Sequence, residues 1–245
     1  MLVFIVMSAL LITLLTVIVV VNFKEYLSRP ENHENHFSNT NAFFSLLLVI
    51  VIKLILKLIT KAPEPHIAFN IVYAFALFEA SVVFLHNVMA IKYGCIHKYS
   101  KEGCVDNCAC VNKKIRIGVN AVRSTLLYAT LVFGLYYLIM YGSCSALLFG
   151  LTFPASIFLF TTAIMYHPLR QEGIQFSLGF FLLGLSVLLL SVYNGLFSSA
   201  PMTGLKATLA DLNSAFALVG IVILAREILQ VIKIGKEQQK CKNQR

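Results

Sequence analysis

The sequence contains few charged residues and no tryptophan. Only 13% of its 245 residues are charged, whereas 58% are hydrophobic, and the mean hydropathy is +0.81. A soluble domain contains about 25% charged residues, because its surface must be covered with polar groups. Disordered chains are rich in charge and poor in aliphatic side chains, so disorder is excluded as well. The composition therefore indicates a protein that is solvated largely by lipid.

Sequence motifs for common enzymatic chemistry are missing too. There is no Walker loop, no dinucleotide-binding glycine pattern and no Gly-x-Ser-x-Gly nucleophile elbow. The chain also lacks the arrays of acids and histidines that membrane desaturases and lipid phosphotransferases need. These absences favour a function other than catalysis.

The sequence does contain a series of apolar runs, each close to the ~20 residues that cross the hydrocarbon core. Their hydrophobicity is unbroken and does not alternate, which excludes barrel strands and leaves helices. We predict an all-α fold, a polytopic transmembrane helix bundle of about seven spanning helices, forming a single integral-membrane domain over residues 1–245. The predicted spans are 1–23, 42–60, 67–91, 119–141, 146–166, 174–197 and 207–225.

The basic residues are distributed unevenly around these spans. With an N-terminus outside the cytosol, one side of the membrane receives all but four of the 20 Lys and Arg residues. The exceptions are Lys53, Lys57, Lys61 and Lys206. Because basic residues accumulate on the cytosolic side, we predict an extracytosolic N-terminus and a basic cytosolic tail at 226–245. Three of the exceptions cluster at the second span, which makes 42–60 the weakest one; if that segment is re-entrant, the N-terminus lies inside.

The net charge also indicates which partners the chain binds. A charge of +9 in a soluble protein would suggest nucleic acid. Here the basic residues flank apolar runs, where they set the orientation of the spans. We therefore predict the lipid bilayer as a partner and no nucleic acid.

Glu79 interrupts the third predicted span about 12 residues from its start, near the middle of the hydrocarbon. A carboxylate at this depth is costly and normally faces the bundle interior or a water-filled cavity, so function is the default hypothesis. His86 projects from nearly the same face. Lys53 reaches a similar depth on the second span, and we predict a Lys53–Glu79 ion pair. The alternative is that Glu79 is a neutral or hydrogen-bonded acid that serves helix packing.

A Cys-rich basic loop, 92–118, follows the third span. A zinc site needs four soft ligands at short spacings, and this loop contains enough cysteine and histidine to supply them. The candidate ligands are Cys95, His97, Cys104, Cys108 and Cys110. Disulfides, S-palmitoylation and unmodified thiols are the alternatives.

Two further spans contain features of helix packing. Pro154, in the fifth span, frees a backbone carbonyl about mid-membrane. Ser177, Gly184 and Ser191 recur every seven residues in the sixth span and form a seam of small residues. Such a seam lets two helices approach closely.

Three functions agree with these observations. The first is a small ion or solute permease or channel that uses Glu79, Lys53 and His86 as intramembrane pathway groups. The second is a seven-helix, receptor-like or signalling membrane protein, whose cytosolic protein partner would bind the loop Lys92 to Gly118 or the basic tail. The third is a non-catalytic structural or assembly subunit of a membrane complex.

Thiol accessibility tests the predicted topology. An impermeant thiol reagent applied to sealed membranes should label the cysteines of the loop 92–118 only from the cytosolic side, because the basic residues of the loop place it there. Labelling from the other side would reverse the predicted orientation. Labelling that requires prior reduction would identify disulfides.

Overall fold

The computed structural model of the chain describes residues 2–28, 33–60, 67–93, 107–167, 175–196 and 204–243, which are almost entirely helical. These residues contain seven α-helices and no strand, which confirms the predicted all-α bundle. The helices are α1 (Leu2–Ser28), α2 (His33–Thr60), α3 (Ile67–Tyr93), α4 (Asn107–Tyr141), α5 (Ser145–Tyr166), α6 (Phe176–Leu196) and α7 (Gly204–Asn243).

Six of the described helices contain a stretch long and apolar enough to cross a membrane, which is the construction of a multi-pass membrane protein. In α2, the corresponding apolar stretch is shorter among the side chains that are described, Thr40–Ile52. This is the helix whose lysines made it the weakest predicted span. The six longer stretches are Ile5–Glu25, Phe69–Met89, Ile117–Tyr141, Ser145–Tyr166, Phe176–Gly195 and Thr208–Lys233.

Six helices form a closed ring. Around the ring, α1 packs against α2, α2 against α3, α3 against α5, α5 against α6, α6 against α7 and α7 against α1. The remaining helix, α4, packs on the outside of the ring against α5 and α3. Only 6% of the apolar stretch of α4 is buried, compared with 56% in α3 and in α5. The fold is therefore a six-helix ring with one peripheral helix.

Apolar side chains fill the axis of this ring. Phe84 contacts Phe43 of α2 and Phe180 of α6, with ring centroids 4.9 and 5.2 Å away. Phe78 contacts Phe158 of α5 at 5.8 Å. A cavity of about 40 Å³ remains at this level, and it is lined by apolar side chains of five helices and by Ser81, whose hydroxyl donates to a backbone carbonyl of its own helix. A cavity with this lining stays dry.

Small residues bring the ring helices together. The predicted seam of α6 faces α5, where Ser177 Oγ donates to the carbonyl of Ala163 at 2.8 Å and Gly184 lies against Phe160. On the other side of α6, a Cβ added to Gly220 of α7 would lie 3.0 Å from the carbonyl oxygen of Gly179. Two backbones can approach this closely only where side chains are absent.

A tight turn joins the peripheral helix to the ring. Gly142 ends α4 with a φ of +65°, and its N–H donates to the carbonyl of Leu138 at 2.8 Å. Glycine adopts this left-handed conformation without a steric penalty. We call the side of the bundle that contains this turn the hairpin end, and the opposite side, where α3 and α5 finish, the tail end.

A hydrogen bond from α4 compensates for the proline in α5. Pro154 has no N–H, so the carbonyl of Gly150, four residues earlier, receives no bond from within the helix. Thr130 Oγ1 of α4 donates to this carbonyl at 3.1 Å. A Cβ at position 150 would lie 2.7 Å from the Thr130 methyl group, so glycine is what permits the approach. The carbonyl freed by Pro154 thus becomes an attachment point for α4.

Two helices extend beyond the predicted boundaries. Residues 107–118, assigned from the sequence to the loop 92–118, belong to α4, because neither proline nor glycine interrupts the chain from Asn107 to Ile117. Likewise, α7 continues through most of the predicted tail, as far as Asn243. The predicted tail at 226–245 contains no proline and is helical, apart from its last residues, which lie outside the described part of the chain.

The attachment between Thr130 and Gly150 can be tested by a double-mutant cycle. Thr130→Val should lower the free energy of unfolding by about 1 kcal/mol, because the carbonyl of Gly150 loses its donor. In a Pro154→Ala background the loss should be smaller, since the N–H restored at position 154 serves the same carbonyl. Unfolding of the four proteins in detergent, followed by circular dichroism, measures both. An equal loss in the two backgrounds would contradict the assignment.

Candidate functional site

Glu79 is the central residue of the apolar stretch of α3, Phe69–Met89. Its depth near the middle of the hydrocarbon stays a prediction. Its side chain is directed towards α4, outside the ring, and remains 25% exposed. It does not line the filled axis of the bundle.

Arg123 of α4 binds both carboxylate oxygens of Glu79. Nε of Arg123 donates to Oε1 at 3.1 Å, and Nη2 lies 2.6 Å from Oε2. This is the bidentate arrangement in which one edge of the planar guanidinium matches the two oxygens of a carboxylate. The Arg123 side chain is 37% exposed, so the pair lies at the surface of the bundle and not in its core.

The contacts of α3 and α4 with α5 set the position of the pair. Arg123 lies six residues inside the apolar stretch of α4, Ile117–Tyr141, which is about 9 Å from its start. The bond between Thr130 and Gly150 fixes α4 along α5, and the contact between Phe78 and Phe158 fixes α3 along α5. α5 is thus the common reference that brings Glu79 and Arg123 to one level.

The energetics of this pair are asymmetric. Desolvating an arginine and a glutamate offsets much of their attraction, so the pair contributes little net stability. Removing one partner is costly, because it leaves an uncompensated charge at membrane depth. The interaction therefore constrains α3 and α4 to stay together while both groups are charged.

Lys53, the partner predicted for Glu79, lies on α2. The contact between Phe43 and Phe84 sets the register of α2 against α3, and Leu46 and Ala80 line the same cavity further along. In this antiparallel register Lys53 is about five residues, or about 7 Å, from the level of Glu79 towards the hairpin end. The side chain of Lys53 lies outside the described residues, so its pairing with Glu79 stays a prediction.

His86 follows Glu79 by seven residues, about 10 Å towards the tail end. The side chain is half-buried, with its Nε2 atom in the interior. Its participation in a pathway stays a prediction.

The predicted zinc ligands fall at the edge of the described chain. Cys95, His97 and Cys104 lie outside the described residues, and Cys108 and Cys110 begin α4, where the backbone alone is described. Among the side chains that are described, no group of three His, Cys, Asp or Glu residues could hold a metal ion. The zinc site at these five residues stays a prediction.

The sequence analysis missed Arg123 as a site residue. It counted Arg123 with the basic residues that flank the fourth span, although Arg123 is the one basic residue within the predicted span 119–141. Reading that residue as intramembrane would have identified a second candidate partner for Glu79. Depth alone could not have decided between Arg123 and Lys53.

A second buried carboxylate, Glu227 of α7, was also missed. Its side chain is 1% exposed, and Oε2 accepts the N–H of Gln175 at 2.7 Å, immediately before α6 begins. A carboxylate in this position satisfies a free N–H and interacts favourably with the helix dipole. Its contacts therefore explain Glu227 as a structural cap, in contrast to Glu79.

No protein-family model, no curated protein and no solved structure matches this chain.

A double-mutant cycle on Glu79→Gln and Arg123→Gln tests the energetics of the pair. Each single substitution should lower the thermal stability in detergent, because it leaves one charge uncompensated. The double variant should recover part of the loss, with a coupling energy of about 1 to 3 kcal/mol. Additive losses would show that the two groups do not interact.

A second double-mutant cycle, on Lys53→Gln and Glu79→Gln, tests the predicted partner. If Lys53 also binds Glu79, as the sequence predicts, then Lys53→Gln should be coupled to Glu79→Gln. A coupling confined to Arg123 would remove Lys53 from the site.

Proposed function

We propose that this protein is a small ion or solute permease in which Glu79 and Arg123 form the gate. One observation carries the proposal: a bidentate ion pair at the centre of an apolar stretch joins a ring helix to a peripheral helix. Charged groups at this depth are costly, and they commonly mark ion or substrate pathways.

The position of the pair supports a gate, because the pair joins two parts of the bundle that can separate, the ring and α4. α4 is little buried, and its described polar attachments to the ring are the bond between Thr130 and Gly150 and the pair between Arg123 and Glu79. Breaking the pair removes the constraint at the tail-end half of α4, while the turn at Gly142 keeps the other end attached. Such an arrangement suits a hinge movement of α4.

The filled axis of the ring supports a route along α4. Phe78, Phe84 and their aromatic partners occupy the centre at the level of Glu79, and the remaining cavity is apolar. A polar solute would gain no compensating contacts there. Where α4 meets α3, Glu79 and Arg123 offer charged groups at the same depth.

A subunit of a membrane complex is the second candidate, and the outer face of α4 favours it. Tyr128, Val132 and Ile139 share this face and are 70%, 64% and 80% exposed. A helix of a partner protein would cover this face, and a hydrogen-bonding group on it would satisfy the Tyr128 hydroxyl. In that case the chain would co-purify with another protein from native membranes and show no flux alone.

Flux into liposomes tests the permease. The purified full chain, reconstituted into sealed liposomes, should accelerate the movement of at least one of K⁺, chloride, phosphate or pyruvate over protein-free liposomes. Glu79→Gln should change that rate by about tenfold, because it removes one charge of the gate. Asp211→Asn, which removes an exposed carboxylate from α7, is the matched control and should leave the rate unchanged.

Two results would contradict the proposal. One is the absence of flux for all four solutes in liposomes that contain folded protein. The other is a flux that Glu79→Gln leaves as it is in the unsubstituted chain.

A further inference from the structure

We propose that Arg123 is the binding residue for a small monocarboxylate substrate, and that Glu79 releases Arg123 to this substrate by taking up a proton. The inference rests on the proposed permease function and names its substrate class and its coupling. Its starting point is that the guanidinium already holds a carboxylate, the one supplied by Glu79.

The geometry of Arg123 selects an oxyanion with two coplanar oxygens. Its Nε and Nη2 atoms donate from one edge of the guanidinium to Oε1 and Oε2. A substrate carboxylate can accept the same two hydrogen bonds in the same plane. Because arginine stays protonated in proteins, the site always requires an anion. Glu79 is therefore an internal competitor for the substrate position.

Charge balance couples the substrate to a proton. In the resting state, the Glu79 carboxylate and the Arg123 guanidinium together have no net charge. When a proton binds a carboxylate oxygen of Glu79, the two hydrogen bonds from Arg123 lose their charged acceptor, and the guanidinium is left uncompensated. One substrate carboxylate restores the balance. The reverse step releases the substrate, returns the proton to water and re-forms the pair.

Neither step is favourable alone at this depth. A free carboxylate substrate finds Arg123 occupied, and a lone proton on Glu79 leaves Arg123 unpaired in a medium of low dielectric constant. The two ligands therefore bind together, which is the requirement for symport. One proton and one monocarboxylate move per cycle, and the cycle transfers no net charge.

Within the described part of the chain, Arg123 is the charged partner of Glu79. α5 contains no charged residue between Ser145 and Tyr166, and the described side chains of α2 from Thr40 to Ile52 contain none. α6 contributes no charged residue either. The other titratable groups on the described side chains of α3 are Tyr73 and His86, and those of α4 are tyrosines, the first of which is Tyr128. A cation could bind Glu79 only by displacing Arg123, which keeps its charge, whereas a proton on Glu79 frees Arg123 for an anion.

Access and charge favour a monovalent anion. Arg123 is 37% exposed outside the ring, so a substrate reaches it without entering the ring. The described side chains of α3, α4 and α5 contain no other Lys or Arg, and a divalent phosphate would need a second cation.

Uptake of radiolabelled pyruvate into proteoliposomes tests the inference, with trapped pyranine to report internal pH. Valinomycin and equal K⁺ hold the membrane potential at zero. The unsubstituted chain should take up pyruvate faster than protein-free liposomes and acidify the interior. An external pH lower by one unit should sustain about tenfold accumulation, as one-to-one coupling requires.

Two variants separate the roles of the pair. Glu79→Gln should still take up pyruvate, but without internal acidification, and the rate should now increase when the interior is made positive, because the anion moves alone. The double variant Glu79→Gln/Arg123→Gln contains no unpaired charge, so it should fold, and its uptake should be lower than that of Glu79→Gln by about tenfold or more. Asp211→Asn should behave as the unsubstituted chain.

The remaining outcomes separate the two proposals. Flux of K⁺, chloride or phosphate without pyruvate uptake would overturn the inference and leave the permease standing. Equal pyruvate uptake by Glu79→Gln and the double variant would overturn the role of Arg123. Absence of flux for every solute would overturn both.

Discussion

The arrangement of this protein depends on one constraint, which is that an arginine and a glutamate at membrane depth cannot be separated while both are charged. Glu79 and Arg123 lie on different helices, and each would be costly to expose to hydrocarbon alone. Their contact therefore fixes α4 against α3. The constraint is conditional, because a proton on Glu79 or another anion on Arg123 removes it. The same ion pair therefore holds α4 against α3 in one state and releases it in the other.

The rest of the fold separates rigid from movable parts. Six helices close into a ring whose axis is filled by phenylalanine and aliphatic side chains, and small residues such as Gly179 and Gly220 allow the backbones to touch. α4 lies outside this ring and shares few contacts with it. Its hydrogen bond to the carbonyl freed by Pro154 gives it a second attachment, between Arg123 and the turn at Gly142. Packing keeps the ring together, whereas α4 combines two polar contacts with limited apolar packing through residues such as Leu126 and Leu127.

Much of this architecture could be predicted from the sequence, because length and hydrophobicity determine which segments are helices in lipid. The depth of Glu79 follows from its position in its span, and the freed carbonyl follows from Pro154. Neighbour relations could not be predicted in the same way. Lipid tails and helix interiors are equally apolar, so the sequence of α4 does not reveal that it lies outside the ring.

The partner of Glu79 could not be predicted from the sequence either. Glu79 and Arg123 are 44 residues apart, and the sequence offers both Arg123 and Lys53 at compatible depths. Only the register of α3 and α4 along α5 brings Arg123 to the carboxylate. Similarly, the sequence identified the carbonyl that Pro154 frees but not Thr130 as its donor.

The distance between α4 and the ring, measured with and without the Glu79 charge, tests directly whether the ion pair holds α4 against the ring. Spin labels at two exposed positions near the tail end, Ile117 of α4 and Ile164 of α5, report this distance by pulsed electron resonance in a background that lacks other reactive cysteines. The account predicts one narrow distribution at neutral pH, which broadens and lengthens in Glu79→Gln but not in Asp211→Asn. An identical distribution in all three proteins would show that the ion pair does not hold α4 to the ring.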